Sequence, residues 1–253
     1  MCKRMNMNRI LTQFIDRWHK NDESRLVLIY GTAGVGKSSY AIQTCLELET
    51  VYNYNYKDFI IFKPKEFIDR ITYLIDNSIK IPALIWDDAG VWLYKLDYQD
   101  EFVKSAVKFF NVARTVVSCI ILTTISPHML VTNLRKMDML TIKVVRRGHN
   151  NTSLARCYSA NFTPNGYRLL KTVFEDEFKR HMPDNVYTWY SRLRADYVKE
   201  ALDLMKKSLK QTQIDNNLEE YYLSLLNEVT KEDVAKYPSS NNSTVSNIYS
   251  NTA

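Results

Sequence analysis

Glycine and proline are scarce in this chain, cysteine is scarcer, and no long apolar run occurs: 253 residues include 6 Gly, 6 Pro and 4 Cys. No stretch approaches the ~18–20 apolar residues of a membrane span. The start, MCKRMNMNRI, lacks the apolar centre of a signal peptide. A cytoplasmic protein with no membrane partner is therefore expected. Cys2, Cys45, Cys119 and Cys157 form no C-x-x-C pair and have no histidine at metal-ligand spacing. Reduced thiols that pack are expected of Cys45 and Cys119, which sit among apolar residues. No repeat is present. Lys+Arg 34 against Asp+Glu 28 gives a net charge of +6, a bias that suits a polyanionic partner and is shared by many inert basic proteins.

Scarcity makes the placement of glycine informative. Gly31, Gly34 and Gly36 fall in one loop, GTAGVGKSS, after the apolar run LVLIY and before a helical stripe of Tyr40, Ala41, Thr44, Cys45 and Leu48. Strand, glycine loop and helix in that order predict a Walker A phosphate loop. The backbone of Gly31, Thr32, Ala33, Gly34, Val35 and Gly36 would cradle a polyphosphate, with the amides of Lys37, Ser38 and Ser39 at the helix N-terminus. Lys37 would reach the β- and γ-phosphates, and the Ser38 hydroxyl would ligate Mg²⁺.

Further along, DFIIF, PALIWDD, TVVSCIILTTI and MLTIKVVRR read as strands. KEFIDRITYLI and DYQDEFVKSAVKFFNVAR read as helices between them, and a short helix runs from Pro127 through Lys136. Alternation of this kind predicts an α/β fold: a central, mostly parallel sheet flanked by helices, with its ligand beyond the strand C-termini. A turn at Gly148 and a partner strand, SLARCYSANF, predict an antiparallel edge hairpin. The expected organisation is a core over residues 1–165 with that hairpin, a helical region over 166–237, and an uncharged, disordered tail over 238–253. Within the helical region, Tyr190, Leu193, Tyr197, Ala201 and Leu204 form one stripe. Arg192, Arg194, Lys199, Lys206, Lys207 and Lys210 crowd the other positions, and a second helix is expected around Leu218–Val229.

A phosphate loop needs acid on a neighbouring strand. LIWDD supplies it in the Walker B pattern, with Asp87 for the magnesium shell and Asp88 as the base that positions water. Asp88 stands where many P-loop ATPases carry glutamate. The polar end of the next strand, Leu122-Thr123-Thr124, supplies a sensor of the γ-phosphate: Thr124 is the first choice and Thr123 the second.

GTAGVGKS, LIWDDAG, the polar strand end and NLRK together resemble the ATPase core of the additional-strand P-loop class, which includes AAA+ and FtsK/HerA-type motors. More narrowly, residues 25 to 147 are similar to the DnaA-like AAA+ ATPases of crenarchaeal viruses and plasmids. That resemblance implies Mg²⁺-dependent ATP hydrolysis by a homo-oligomer, in which an arginine of one subunit completes its neighbour's site: Arg135 in NLRK, or Arg114. It also implies association with DNA in replication initiation or helicase loading. The alternatives are a genome-packaging or translocation motor, a nucleotide-switched binding module with little turnover, and a small-molecule kinase using Arg146 and Arg147. Two departures stand out. A hairpin follows the core where AAA+ proteins carry a helical lid, and threonine ends the fourth strand where packaging motors of the FtsK/HerA type carry glutamine.

Overall fold

In the computed structural model, residues 8–148, 151–162, 168–203, 205–207 and 209 are described. They form two compact units, residues 1–187 and 188–253. The first unit opens with helix α1 (Ile10–Lys20), which buries Leu11, Ile15 and Trp18, and then strand β1 (Arg25–Tyr30), whose four central residues are buried. Helix α2 (Lys37–Val51) follows the glycine loop. A two-residue strand, β2 (Ile60–Ile61), precedes helix α3 (Pro64–Asp76). Pro64 starts α3 because it needs no amide donor there, and Glu66 holds the entry by accepting from the amides of Phe62 (2.8 Å) and Lys63 (3.2 Å).

Strand β3 (Leu84–Trp86) leads through the acidic turn toward α4 (Glu101–Phe110). The sequence predicts this helix from Asp97; it begins four residues later because the Asp100 carboxylate caps it, accepting from Val103 N at 3.1 Å. Strand β4 (Cys119–Thr124) is buried at every position. Of the four predicted residues ahead of it, Thr115 ends a 3₁₀ turn (Ala113–Thr115) and Val117 makes only an isolated parallel bridge to Ile81. The predicted helix from Pro127 divides into a 3₁₀ turn (Pro127–Met129) and a four-residue helix, α5 (Thr132–Arg135). Strands β5 (Met139–Arg147), β6 (Thr152–Phe162) and β7 (Arg168–Lys179) complete one seven-stranded sheet in the order β2-β3-β4-β1-β5-β6-β7. The first five strands pair in parallel, and β6 and β7 pair antiparallel. The α/β prediction, with a mostly parallel sheet and an antiparallel extension, describes the molecule.

The core boundary predicted at residue 165 is corrected. β7 continues the sheet, and the compact unit runs to Tyr187. Physical necessity binds β7 to the rest. Arg9 precedes α1 and provides no side-chain cap, so the helix takes its cap from β7: the Asp176 carboxylate accepts from Ile10 N at 3.1 Å and Leu11 N at 3.5 Å. The same carboxylate accepts from the Tyr40 hydroxyl on α2. Burial first, and then that carboxylate, push the Tyr40 phenol well above its ordinary range. Asp176 thus joins β7, α1 and α2 at one buried point. The single apolar stripe predicted for α2 is also too narrow, since Ile42 and Gln43 are buried as well. Gln43 is covered because its amide donates to the carbonyls of Lys179 (3.0 Å), the last residue of β7, and His181 (3.2 Å) just past it.

One apolar core lies on the side of the parallel strands carrying α3 and α4, where Trp86 stacks on Phe67 with ring centroids 4.9 Å apart. Cys45, Cys119 and Cys157 are buried thiols. Burial pushes Cys45 and Cys157 up to about 12, as packing residues rather than nucleophiles should be. Cys2 lies outside the described residues.

Residues 184–203, 205–207 and 209 are helical and constitute α6, those from 188 onward belonging to the second unit. Tyr190 is buried; Leu193, Tyr197 and Ala201 are half-buried; Arg192, Arg194, Lys199, Lys206 and Lys207 are exposed. Leu204, Lys210, the predicted second helix and the predicted tail lie outside the described residues. Among those described, no helix is long and apolar enough to cross a membrane.

Candidate active site

β1 ends at Tyr30, and the chain leaves it through a residue that only glycine can supply. A Cβ on Gly31 would stand 2.4 Å from the Val144 carbonyl oxygen, inside any tolerable contact. Thr32, Ala33 and Gly34 are exposed, and Val35 turns inward, where its carbonyl accepts from the buried Ser153 hydroxyl at 2.7 Å. Gly36, with φ of 98°, is the N-cap of α2, a left-handed backbone that glycine adopts without strain. The first intrahelical bond reaches only Tyr40, whose amide donates to Gly36 O at 2.9 Å. The amides of Ser38 and Ser39 ahead of it have no acceptor within the helix, which makes this end of α2 a natural anion site. Lys37 is 8% exposed, and its ammonium folds back over the loop to donate to Thr32 O at 3.1 Å.

The acidic turn meets this loop directly. The Ser38 hydroxyl donates to Asp87 Oδ1 at 2.8 Å, although the two lie 49 residues apart in sequence. Asp87 is 1% exposed and is fixed through its backbone, its amide donating to Ile61 O at 2.8 Å. The Thr123 hydroxyl donates to the same Oδ1 at 2.6 Å and accepts from Asp88 N at 2.9 Å. Asp88 is half-buried and holds φ of 52°. Aspartate enters that left-handed region more readily than most residues, so the turn geometry accounts for an aspartate at this position.

Thr123, the second choice from sequence, is the threonine that touches the acids. Thr124 points the other way: its hydroxyl lies against Ser126 O (3.4 Å) and Met129 Sδ (3.8 Å), and beside Gly90. Strand alternation held the signal, because only one of two successive side chains can share the face of Asp87. The two predicted trans arginines differ in exposure. Arg135 is half-buried and bonds Thr132 Oγ1 within its own short helix at 3.0 Å. Arg114 is exposed in the turn ahead of β4, at the opposite end of the strands from the phosphate loop. Ser153 and Arg180 touch the loop and carry no motif that would announce them.

The donor set suits Mg²⁺. A buried carboxylate and a hydroxyl converge beside a phosphate loop, and Mg²⁺ is characteristically bound by one or two carboxylates, substrate phosphates and water. Ser38 and Asp87 would hold it. Among the described residues, no group of three or more His, Cys, Asp or Glu forms a self-sufficient metal cage, so the ion would arrive with its phosphates.

No family model matches the sequence. The chain is 25% identical over 230 residues to the uncharacterized protein B-251 of Sulfolobus spindle-shape virus 1, covering 84% of this chain and 91% of that protein. It is also 25% identical over 205 residues to the uncharacterized protein ORF286 of Acidianus two-tailed virus, covering 69% and 70% respectively. Among solved structures, it is similar to the genome packaging NTPase B204 of Sulfolobus turreted icosahedral virus 2 in complex with AMPPCP, with 14% identity, 60% of this chain, 100% of that chain and a TM-score of 0.41. A score this low carries no weight for function; the phosphate loop and the acids beside it stand on their own geometry.

Proposed function

We propose that this protein is a Mg²⁺-dependent ATPase of an archaeal virus or a related mobile element, acting on DNA as a homo-oligomer. The observation that carries the reading is the convergence on Asp87 Oδ1. The hydroxyl following the loop lysine and the hydroxyl of the penultimate residue of β4 meet one buried carboxylate, so groups from the start of α2, the turn after β3 and β4 converge as an NTP hydrolysis site requires. A bound Mg²⁺ would neutralise charge on the β- and γ-phosphate oxygens. Lys37 would leave Thr32 O for the phosphates, Asp88 would orient the attacking water, and Thr123 would hold Asp87 and the Asp88 amide in register. Catalysis in such a site is positioning and charge stabilisation, with little covalent work for the protein.

Within this reading, replication initiation or helicase loading is the leading role, following the resemblance of the motifs. One observation favours a packaging or translocation motor as the second reading: β6 and β7 extend the sheet after β5, where the DnaA-like resemblance implies a helical lid. Steady-state phosphate release from Mg-ATP, measured with and without duplex DNA, tests both levels. Turnover that needs Mg²⁺ and rises with DNA supports the proposal, and a length-dependent rise favours translocation. ATP binding without turnover leaves a nucleotide-switched binding module.

A further inference from the structure

β5 and β6 outrun the strand beside them. β1 stops pairing with β5 at Tyr30 opposite Lys143, yet β5 continues through Val144–Arg147, paired only with Ala155–Thr152 of β6. This overhang lies over the phosphate loop: Val144 O against Gly31, Ser153 against Val35 O. Two arginines reach the loop from it and from the end of β7. A Cβ on Gly34 would stand 3.3 Å from Arg146 Nη2, and one on Gly36 would stand 2.9 Å from Arg180 Cγ. Arg180 Nη1 donates to Gly34 O at a long 3.4 Å, Nη2 donates to Asn151 Oδ1 at 3.1 Å, and Nε is buried without a hydrogen-bond partner.

Ion pairing separates them from their neighbours. Arg147 pairs with Glu177 at 2.8 Å, and Arg156 pairs with Glu175. Among the described residues no carboxylate pairs with Arg146 or Arg180. Successive strand residues face opposite ways, so in the Arg146-Arg147 pair one arginine serves the outer face and the other turns to the loop. Two guanidinium groups without counter-ions, one with an orphaned N–H, beside a loop shaped for phosphate form a site for a polyanion.

We infer that Arg146 and Arg180 contact the phosphates of the bound nucleotide in cis, taking over charge stabilisation that the sequence resemblance assigns to an arginine of a neighbouring subunit. The inference rests on the nucleotide reading above and adds the source of the cations. The antiparallel extension is then part of the nucleotide site as well as an edge to the sheet.

The test measures binding of a fluorescent ATP analogue to the full-length protein, with AMP as competitor. Arg180→Ala should weaken the ATP analogue about tenfold or more while moving AMP far less, because the lost charge-assisted bonds go to phosphates that AMP does not carry. Arg180→Lys should retain most of the affinity, and Arg146→Ala combined with Arg180→Ala should lose more than either change alone. Equal losses for ATP and AMP, or no loss, would overturn the inference in favour of simple bracing of the loop. In mixed oligomers, Arg180→Ala and Lys37→Ala subunits should fail to restore turnover, since every site then lacks one of the two groups; recovery would assign the arginine to the neighbouring subunit. Wild-type protein that binds no ATP would instead remove the nucleotide reading itself.

Discussion

β4 and β5 flank the same strand, both parallel to β1, and they are built differently. β4 is buried at all six positions. β5 is buried at Met139, Thr141, Ile142 and Val144, and exposed at Lys143 and from Val145 to Arg147. A strand covered on both faces must be continuously apolar, whereas one leaving the sheet's centre can alternate. The difference sorts the chemistry. The parallel side delivers acids and hydroxyls in fixed register, with Asp87 and Thr123 at strand ends. The antiparallel side delivers exposed arginines that gain meaning only where the overhang crosses the phosphate loop.

The sharpest way to break this division is to remove the cation on the parallel side. Lys37→Ala should lower ATP turnover about a thousandfold, roughly 4 kcal/mol at the barrier, as measured by steady-state phosphate release. Its fold should survive, since Lys37 bonds a loop carbonyl and caps nothing. Near-normal turnover would show that the loop does not hold the reacting phosphates.

Legibility from sequence follows the same line. The glycine loop, the paired acids after β3 and the parallel strands were readable because each demands a restricted residue set: glycines at tight backbone approaches, an acid after an apolar run, unbroken apolar strands. β7 was not. RLLKTVFEDEFK alternates apolar and charged residues, and its inward set of Phe174, Asp176 and Phe178 includes a buried acid, a composition that reads as surface. Asp176 is buried only because α1 lacks a cap of its own, a requirement set 166 residues away. Arg180 was invisible for the same reason, since its partner is the backbone of a loop 146 residues earlier. Asp176→Ala should therefore cost about 3 kcal/mol in denaturant unfolding, because it strands helix amides and the Tyr40 hydroxyl together. Asp176→Asn, which keeps an acceptor, should cost less. A negligible loss in Asp176→Ala would detach β7 from the stability of the core.

A smaller effect separates the two threonines that end β4. Thr123→Val removes a donor to Asp87 and the acceptor for Asp88 N, and should reduce turnover about tenfold with little change in ATP affinity. Thr124→Val leaves both acids untouched and should retain near wild-type turnover. The reverse ranking would return the sensor role to Thr124, the first choice from sequence, and imply that β4 twists on nucleotide binding.

The smallest expected effect lies in α6, whose exposed cations are candidate contacts for DNA phosphates. Charge pairing within the helix now grades them. Lys206 lies 3.4 Å from Asp203 and Lys199 lies 3.6 Å from Asp196, each three residues away, whereas no carboxylate pairs with Lys207 among the described residues. A lysine already sharing its charge displaces fewer counterions when it meets a phosphate. If α6 binds duplex DNA, Lys207→Gln should reduce the magnitude of the log K against log salt slope by about 0.9. Lys206→Gln should reduce it by less, because a lysine already paired with Asp203 displaces fewer counterions to begin with. Both should weaken all sequences alike and leave DNA-free turnover unchanged, since backbone contacts carry no base information. Titrations at several salt concentrations read this out. Identical slopes for both variants and the wild type would mark α6 as a solvated face and transfer the DNA question to the exposed arginines of the β5–β6 overhang.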